Sequence, residues 1–331
     1  MKKICLIGCG GTIAMKRKDD GMLAPAGNVG DLLSLAPGIR KLADFSFRFV
    51  ADIDSTNMHP AIWNKLAQTI FEEYENFDGF VITHGTDTMA YTASALSFAL
   101  QNLDKPIVLT GAQKSIFDLA SDAQNNLINA AKVALLGVPE VVIVFGTKIL
   151  RGSRAQKKSE SQLNAFWSPV VSPLGYIGIE PQIEASRIWR CESNSLKFVP
   201  DFESEIVFFQ LFPGLDGKYI EAAVDCGCRG IILNSYGAGN IPNGEFSLLP
   251  AIKKAVKNNV PVVVATQCVK GSTRMIYEVG QSALEAGAIS AFDMTSEAVA
   301  AKLMWIMAQT RDMETIRGMM GTNFCGEITA T

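Results

Sequence analysis

Short apolar runs recur along the first two-thirds of the chain, separated by stretches whose apolar positions fall at helical spacing. The run from Lys3 to Gly8 reads as a buried first strand, Phe45 to Ile53 as a second, and Gly79 to Ile82 as a third. Pro60 opens a helix with Ile62, Leu66 and Ile70 on one face, and proline suits a first helical position because its missing N–H has no intrahelical partner to lose. A helical pattern begins at Met89, and another runs from Ser121 to Leu136. Pro106 to Leu109 and Val141 to Phe145 are further short β-rich runs. Such alternation predicts a parallel sheet covered by helices. Between Pro181 and Phe202 the pattern weakens into prolines and scattered charges, as in a connection between domains. Strand signals resume at Ile206 to Leu211, Gly230 to Leu233 and Pro261 to Ala265, with helical stretches at Leu248 to Lys257 and Glu297 to Gln309. The expected fold is α/β: a larger, flavodoxin- or Rossmann-like N-terminal domain over residues 1–190, a linker at 191–204, and a smaller C-terminal α/β domain over 205–331.

Two of these strands end in loops of the same kind. The first runs into Gly8-Cys9-Gly10-Gly11-Thr12-Ile13, the third into His84-Gly85-Thr86-Asp87-Thr88 ahead of the Met89 helix. Strand-to-helix junctions of parallel sheets lie at the carboxyl edge, where open α/β folds bind ligands. Glycine lets backbone approach a ligand closely, and free amides at a helix start favour an anion. A hydroxyl beside a carboxylate then supplies a nucleophile or proton shuttle and a charged partner. Thr86 and Asp87 also serve as ordinary capping residues, and the single motif does not separate the two readings. Two strand-ending loops, each with glycine before threonine, are hard to attribute to capping alone.

With these motifs the chain resembles the bacterial-type L-asparaginase family, above all its cytoplasmic branch. The resemblance runs the length of the chain, through Asp54-Ser55, Thr110-Gly111-Ala112-Gln113, the Ser121–Leu127 segment, Arg151-Gly152-Ser153-Arg154-Ala155-Gln156-Lys157, Ser235–Asn240, Thr266-Gln267-Cys268 and Asp293-Met294-Thr295. It implies an amidohydrolase that converts L-asparagine to L-aspartate and ammonia through a threonine acyl-enzyme, without a cofactor or metal. A threonine hydroxyl is a weak nucleophile until a base takes its proton, and a neutral lysine near a carboxylate is such a base. By itself Lys157 reads as a solvated surface lysine beside Lys158; the resemblance makes it catalytic, in a triad with Thr86 and Asp87 that faces Thr12 across the substrate. The resemblance, not the spacing, also makes Thr12 the primary nucleophile. Asp54 and Asp87 suit the substrate ammonium, Ser55 and the amides of Gly11 and Gly85 its carboxylate, and the Thr86 amide with the backbone near Ala112 the oxyanion. The family completes its site with the second domain of a neighbouring protomer, in a homodimer or homotetramer. Asn240 is the candidate for that contribution, although an asparagine between glycine and isoleucine is equally a turn residue. Many relatives carry a tyrosine in the loop after the first motif, where this chain has Met22; the stretch from Met15 to Asn28 is expected to be a mobile lid that closes by apolar contact.

Composition narrows the alternatives. A chain of 331 residues is long enough for a sizeable core and two domains, and its net charge of -3 provides no basic footprint for nucleic acid. Seven cysteines without a C-x-x-C pair predict free thiols in a reducing, cytoplasmic setting. Cys226-Gly227-Cys228 reads as two buried small residues flanking a turn. No run reaches the roughly eighteen apolar residues of a membrane span. Lys2-Lys3 before an apolar run imitates a signal peptide, but three glycines break it, Lys16-Arg17-Lys18 follow, and no cleavage site appears. Only His59 and His84 are present, which leaves no standard zinc spacing; His59 suits the start of the Pro60 helix, and counting alone leaves a triad through His84 open. Gly8-Cys9-Gly10 begins a dinucleotide fingerprint whose third glycine position is Ile13. The remaining rivals are an amino-acid sensor on the same scaffold and a glutaminase-asparaginase of broader specificity. The archaeal protein that feeds ammonia to a tRNA amidotransferase shares the motifs but adds an N-terminal domain, for which the position of Gly10 leaves no room.

Overall fold

The computed structural model describes residues 1–11, 15–17, 23–25, 36, 38–190, 195–275 and 277–329, the pieces 15–17 and 23–25 by their backbone alone. The chain divides into two compact units, Met1–Pro200 and Asp201–Thr331.

The first unit is built on an eight-stranded sheet. Its elements in chain order are β1 (Lys3–Gly8), β2 (Asp44–Phe49), α1 (Pro60–Glu73), β3 (Gly79–Thr83), α2 (Met89–Ala99), β4 (Ile107–Thr110), α3 (Ala123–Ala134), β5 (Val141–Phe145) and β6 (Lys148–Arg151). A separate short hairpin follows, β7 (Gln156–Lys157) with β8 (Phe166–Trp167), and then β9 (Gly175–Ile177) and β10 (Pro181–Ile183). Spatially the sheet runs β10-β9-β6-β5-β4-β3-β1-β2. The five strands β2-β1-β3-β4-β5 are mutually parallel, whereas β6, β9 and β10 continue the sheet antiparallel. The parallel part thus has the flavodoxin-like order 2-1-3-4-5, whose direction of winding reverses between β1 and β3. Ile4, Leu6, Val81, Val108, Val142 and Val144 pack against Leu127, Ala130, Ala131 and Ala134 of α3. Their neighbours Cys5, Ile7, Ile82, Leu109 and Ile143 are fully buried too, so the central strands read as continuous apolar runs rather than alternating ones.

The second unit is a four-stranded parallel sheet in sequential order: β11 (Ile206–Gln210), β12 (Gly230–Ser235), β13 (Val262–Thr266) and β14 (Ile289–Ser290). Between and after them lie α4 (Gly217–Asp225), α5 (Leu249–Lys257), α6 (Glu278–Glu285), α7 (Ser296–Gln309) and α8 (Met313–Gly321).

Several expectations change at the edges of elements. The first strand ends at Gly8, where the glycine-rich loop read from the sequence begins, and Gly10 and Gly11 take φ of +75° and +91° and turn the chain out of the sheet. The second stops at Phe49 rather than Ile53, since the amides of Val50 and Ala51 both turn to the single carbonyl of Gly8. Pro181–Ile183, read as connection, is the edge strand of the sheet, the place where a proline's missing N–H is tolerated. Cys226 is exposed and Cys228 half-buried, not a buried pair: they flank Gly227 (φ +88°) at the end of α4, where the amides of Cys226 and Cys228 return to Ala222 and Ala223. This is the Schellman ending, which turns the residue after the glycine inward and leaves the helix cap outside. Among the described residues no helix is long and apolar enough to cross a membrane, and no three His, Cys, Asp or Glu side chains gather as a metal cluster.

Candidate active site

Four strand-end segments of the first unit converge at the carboxyl edge, around the β1/β3 reversal. The Cys9 amide donates to the Thr83 carbonyl at 3.0 Å, the Gly11 amide to Ile53 at 3.2 Å, and the His84 amide to Thr110 at 2.9 Å. They approach so closely that only glycine fits. A Cβ on Gly11 would lie 2.3 Å from the Gly85 nitrogen, one on Gly85 2.5 Å from Ser55 Oγ, and one on Gly111 2.3 Å from the His84 carbonyl oxygen. The two Gly-Thr loops read from the sequence are therefore neighbours through Gly11 and Gly85.

Lys157 reaches this edge from the hairpin. The 3₁₀ turn Gly152–Arg154 after β6 redirects the chain into β7, where Lys157 pairs with Phe166. Its Nζ donates to Thr86 Oγ1 at 2.8 Å and to Asp87 Oδ1 at 2.6 Å. The lysine side chain is only 18% exposed, against 53% for Asp87, so this lysine departs from the solvated default. Thr86 is buried at 8%. The arrangement offers a hydroxyl, an amine able to exchange a proton with it, and a carboxylate that holds the amine in place.

Ser55 is buried beside them. Its Oγ accepts the Asp87 amide at 3.2 Å, which leaves its own O–H to donate, and its carbonyl accepts the Thr88 hydroxyl at 2.7 Å. Asp54 is exposed and caps the short 3₁₀ turn Ser55–Asn57, with Oδ1 accepting the amide and hydroxyl of Thr56, both at 2.9 Å. Ala112 is buried, in a segment held from α3 by Asp122 and Asn126. Asn240 belongs to the second unit. Its backbone N–H and C=O pair with those of Tyr236 at 2.8 and 3.3 Å, and its side-chain Oδ1 is buried without a hydrogen-bond partner among the described residues. Thr12 and Met22 lie outside the described residues. On either side of Met22, the backbone of Met15–Arg17 pairs antiparallel with that of Leu23–Pro25.

Two features of the site were not read from the sequence as such. His84 is fully buried, and its Nδ1 lies 2.7 Å from the Gly85 carbonyl while Nε2 lies 2.9 Å from Thr92 Oγ1. A carbonyl only accepts, so the proton sits on Nδ1 and Nε2 accepts the Thr92 hydroxyl, which in turn accepts the Trp63 indole at 3.0 Å. Burial pushes the imidazole down to about 4, against the partly opposing bond to Gly85. The ring is thus a neutral strut under the Gly85–Thr86 peptide, and both its nitrogens are engaged away from any serine hydroxyl. His59, as expected, starts α1: its Nδ1 accepts the Ala61 amide at 3.2 Å. Cys9 is the other reactive group near the first loop, and burial raises its thiol to about 12, which removes it as a nucleophile.

Known proteins resemble this chain along nearly its whole length. Residues 3–189 match the family model Asparaginase, N-terminal, and residues 205–320 the Glutaminase/Asparaginase C-terminal domain. The chain is 40% identical to the L-asparaginase of Thermococcus kodakarensis over 99% of its own length and 100% of that protein. The solved structure of that thermostable enzyme superposes with a TM-score of 0.92. Identity to L-asparaginase 1 of Escherichia coli is 36%, covering 99% of this chain and 98% of that one. A component of the glutamyl-tRNA(Gln) amidotransferase of Pyrococcus horikoshii is also 36% identical, over 98% of this chain and 76% of its own.

Proposed function

The chain belongs to the asparaginase family, and from that premise we propose that it hydrolyses L-asparagine to L-aspartate and ammonia through a threonine acyl-enzyme, in the cytoplasm, as a homodimer or homotetramer. The observation that carries the reading is Lys157 Nζ set between Thr86 Oγ1 and Asp87 Oδ1.

In this scheme Thr12 attacks the side-chain carbonyl carbon. Its proton leaves toward the Thr86–Lys157 pair, and the same pair returns a proton to the departing nitrogen as the C–N bond breaks. Water then attacks the ester by the reverse route and releases aspartate. Lysine serves as base only after losing a proton, and Asp87 holds it in place throughout. The Thr86 amide and the backbone near Ala112 stabilise the oxyanion, each such donor worth roughly 3 kcal/mol. Ser55, with the amide of Gly85, takes the substrate carboxylate, whereas the Gly11 amide expected to share that task is already given to the Ile53 carbonyl; Asp54 and Asp87 take its ammonium. Asn240 of a neighbouring copy closes the site, for which its buried, unpartnered Oδ1 has to turn outward.

Ammonia release by the purified protein from L-asparagine, L-glutamine and their D-forms tests the proposal. Turnover of L-asparagine that vanishes in Thr12→Ala is expected. Tight binding without ammonia makes the protein a sensor instead. Turnover of glutamine at a similar rate favours the broader activity, which the name of the C-terminal family model also supports; one extra methylene is rejected only about 10- to 200-fold by a pocket.

A further inference from the structure

The proposed reaction needs the segment around Ala112 and the hairpin bearing Lys157 to keep a fixed separation, and side chains with no part in the chemistry join the two. Asp122 precedes α3, and its carboxylate accepts the Gln113 amide on both oxygens (3.1 and 3.0 Å), the Lys114 amide at 3.0 Å and Asn126 Nδ2 at 3.0 Å. Asn126, one turn into the helix, gives the same nitrogen to the Gly111 carbonyl at 3.0 Å and accepts the Gly146 amide at 3.1 Å. Both side chains are buried, Asp122 at 8% and Asn126 at 2%, so little water competes for these bonds. Every group facing Asp122 is a donor. Carboxylate is therefore the only side chain of this size that satisfies all of them, since an amide would turn its NH₂ against an N–H.

From the segment so held, the Gln113 side chain crosses to the hairpin. Its Nε2 donates to the Gln162 carbonyl at 3.2 Å and to Ser159 at 3.5 Å. Ser159 Oγ closes that turn by accepting the amides of Ser161 and Gln162, and the Lys158 amide donates to Ala165 at 2.8 Å beside Lys157. On the other side Gly111 is pressed onto the His84 carbonyl with no room for a methyl. The path from Asp122 thus ends, in both directions, within one or two residues of the Lys157–Thr86 pair.

We propose that Asp122 and Gln113 are positioning residues that tie the Ala112 segment to the turn after Lys157, and so hold the oxyanion donor and the lysine in register. The activity part of this inference rests on the reading given under Proposed function; the mechanical part does not. The experiment compares Asp122→Asn, Gln113→Glu and, as control on the exposed face of α3, Gln124→Ala, by steady-state kinetics on L-asparagine and by amide deuterium uptake. Asp122→Asn is expected to lower kcat about ten- to a hundredfold with KM little changed, the scale on which a misplaced group slows catalysis, and to raise uptake in both 110–114 and 157–163. Gln113→Glu, which leaves the Asp122 bonds in place and guards against a misfolded first variant, is expected to lower kcat and raise uptake in 157–163. Gln124→Ala changes neither. A kcat within twofold of wild type in both variants overturns the proposal, even with a lowered melting temperature. So does uptake that rises at 110–114 alone. Wild-type protein that releases no ammonia from any amide sinks the functional reading instead, and deuterium uptake then decides the tie by itself.

Discussion

Lys157 shows how far a single residue departs from its type. A lysine is ordinarily solvated, yet here the side chain is four-fifths covered and given to one hydroxyl and one carboxylate. Lys157→Met is expected to abolish turnover, and Lys157→Arg to fail as well, because guanidinium stays protonated and cannot take a proton. Full activity of the arginine variant in the ammonia assay would reduce the residue to a positive charge. Thr86→Ala and Thr12→Ala should each cost several orders of magnitude in kcat with the far-UV circular dichroism unchanged, since members of one catalytic unit fail together. Gly11→Ala is a different kind of lesion. The position has φ +91° and its Cβ would fall 2.3 Å from backbone nitrogen, so the variant must push the Gly11 and Gly85 segments apart. A melting temperature and a turnover both close to wild type would contradict that reading.

Between elements, His84 is the joint. It ties the end of β3 to α2 through Thr92 and to α1 through Trp63, and it holds the Gly85 carbonyl. Its folded-state value of about 4 lies below the ordinary 6.5 because the buried ring has no water to solvate its cation. Between these values the unfolded chain binds the proton and the folded one does not, so stability rises with pH across the window. The contribution is complete above about pH 6.5 and is lost as pH falls toward 4; the shift corresponds to roughly 3 kcal/mol. Urea unfolding at pH 4.5, 5.5 and 7 should show this loss in the wild type and a flatter profile in His84→Gln. Equal slopes in the two proteins would mean that other groups set the acid limit.

On the scale of the molecule, the second unit holds its last segment through a buried ion pair. The fully buried Lys302 of α7 donates to Glu327 at 2.7 Å and to the carbonyls of Met320 and Thr322, while Glu327 accepts the amides of Phe324 and Cys325. Lys302→Met strands a buried carboxylate and is expected to cost about 3–5 kcal/mol in chemical denaturation; adding Glu327→Gln should recover a good part of it, and no recovery would show that the pair is not the unit of stability. Much of the architecture was legible beforehand because burial on both faces leaves a local trace. β1, β3, β4 and β5 are unbroken apolar runs, α1 and α3 are periodic, and Gly10-Gly11-Thr12 and Gly85-Thr86-Asp87 mark the strand ends that a ligand can approach. The strands β6, β9 and β10 left no such trace, being short and partly exposed, with pairing that depends on residues far away in the chain. The same holds inside the site. Local sequence determined that two Gly-Thr loops exist and that a lysine follows Arg151-Gly152-Ser153-Arg154. That Gly11 rests on Gly85, that Lys157 lies 2.8 Å from Thr86 across 71 positions of chain, and that His84 and Asp122 act as struts were decided only by tertiary packing, because each is a contact between segments that sequence separates and the sheet order alone brings together.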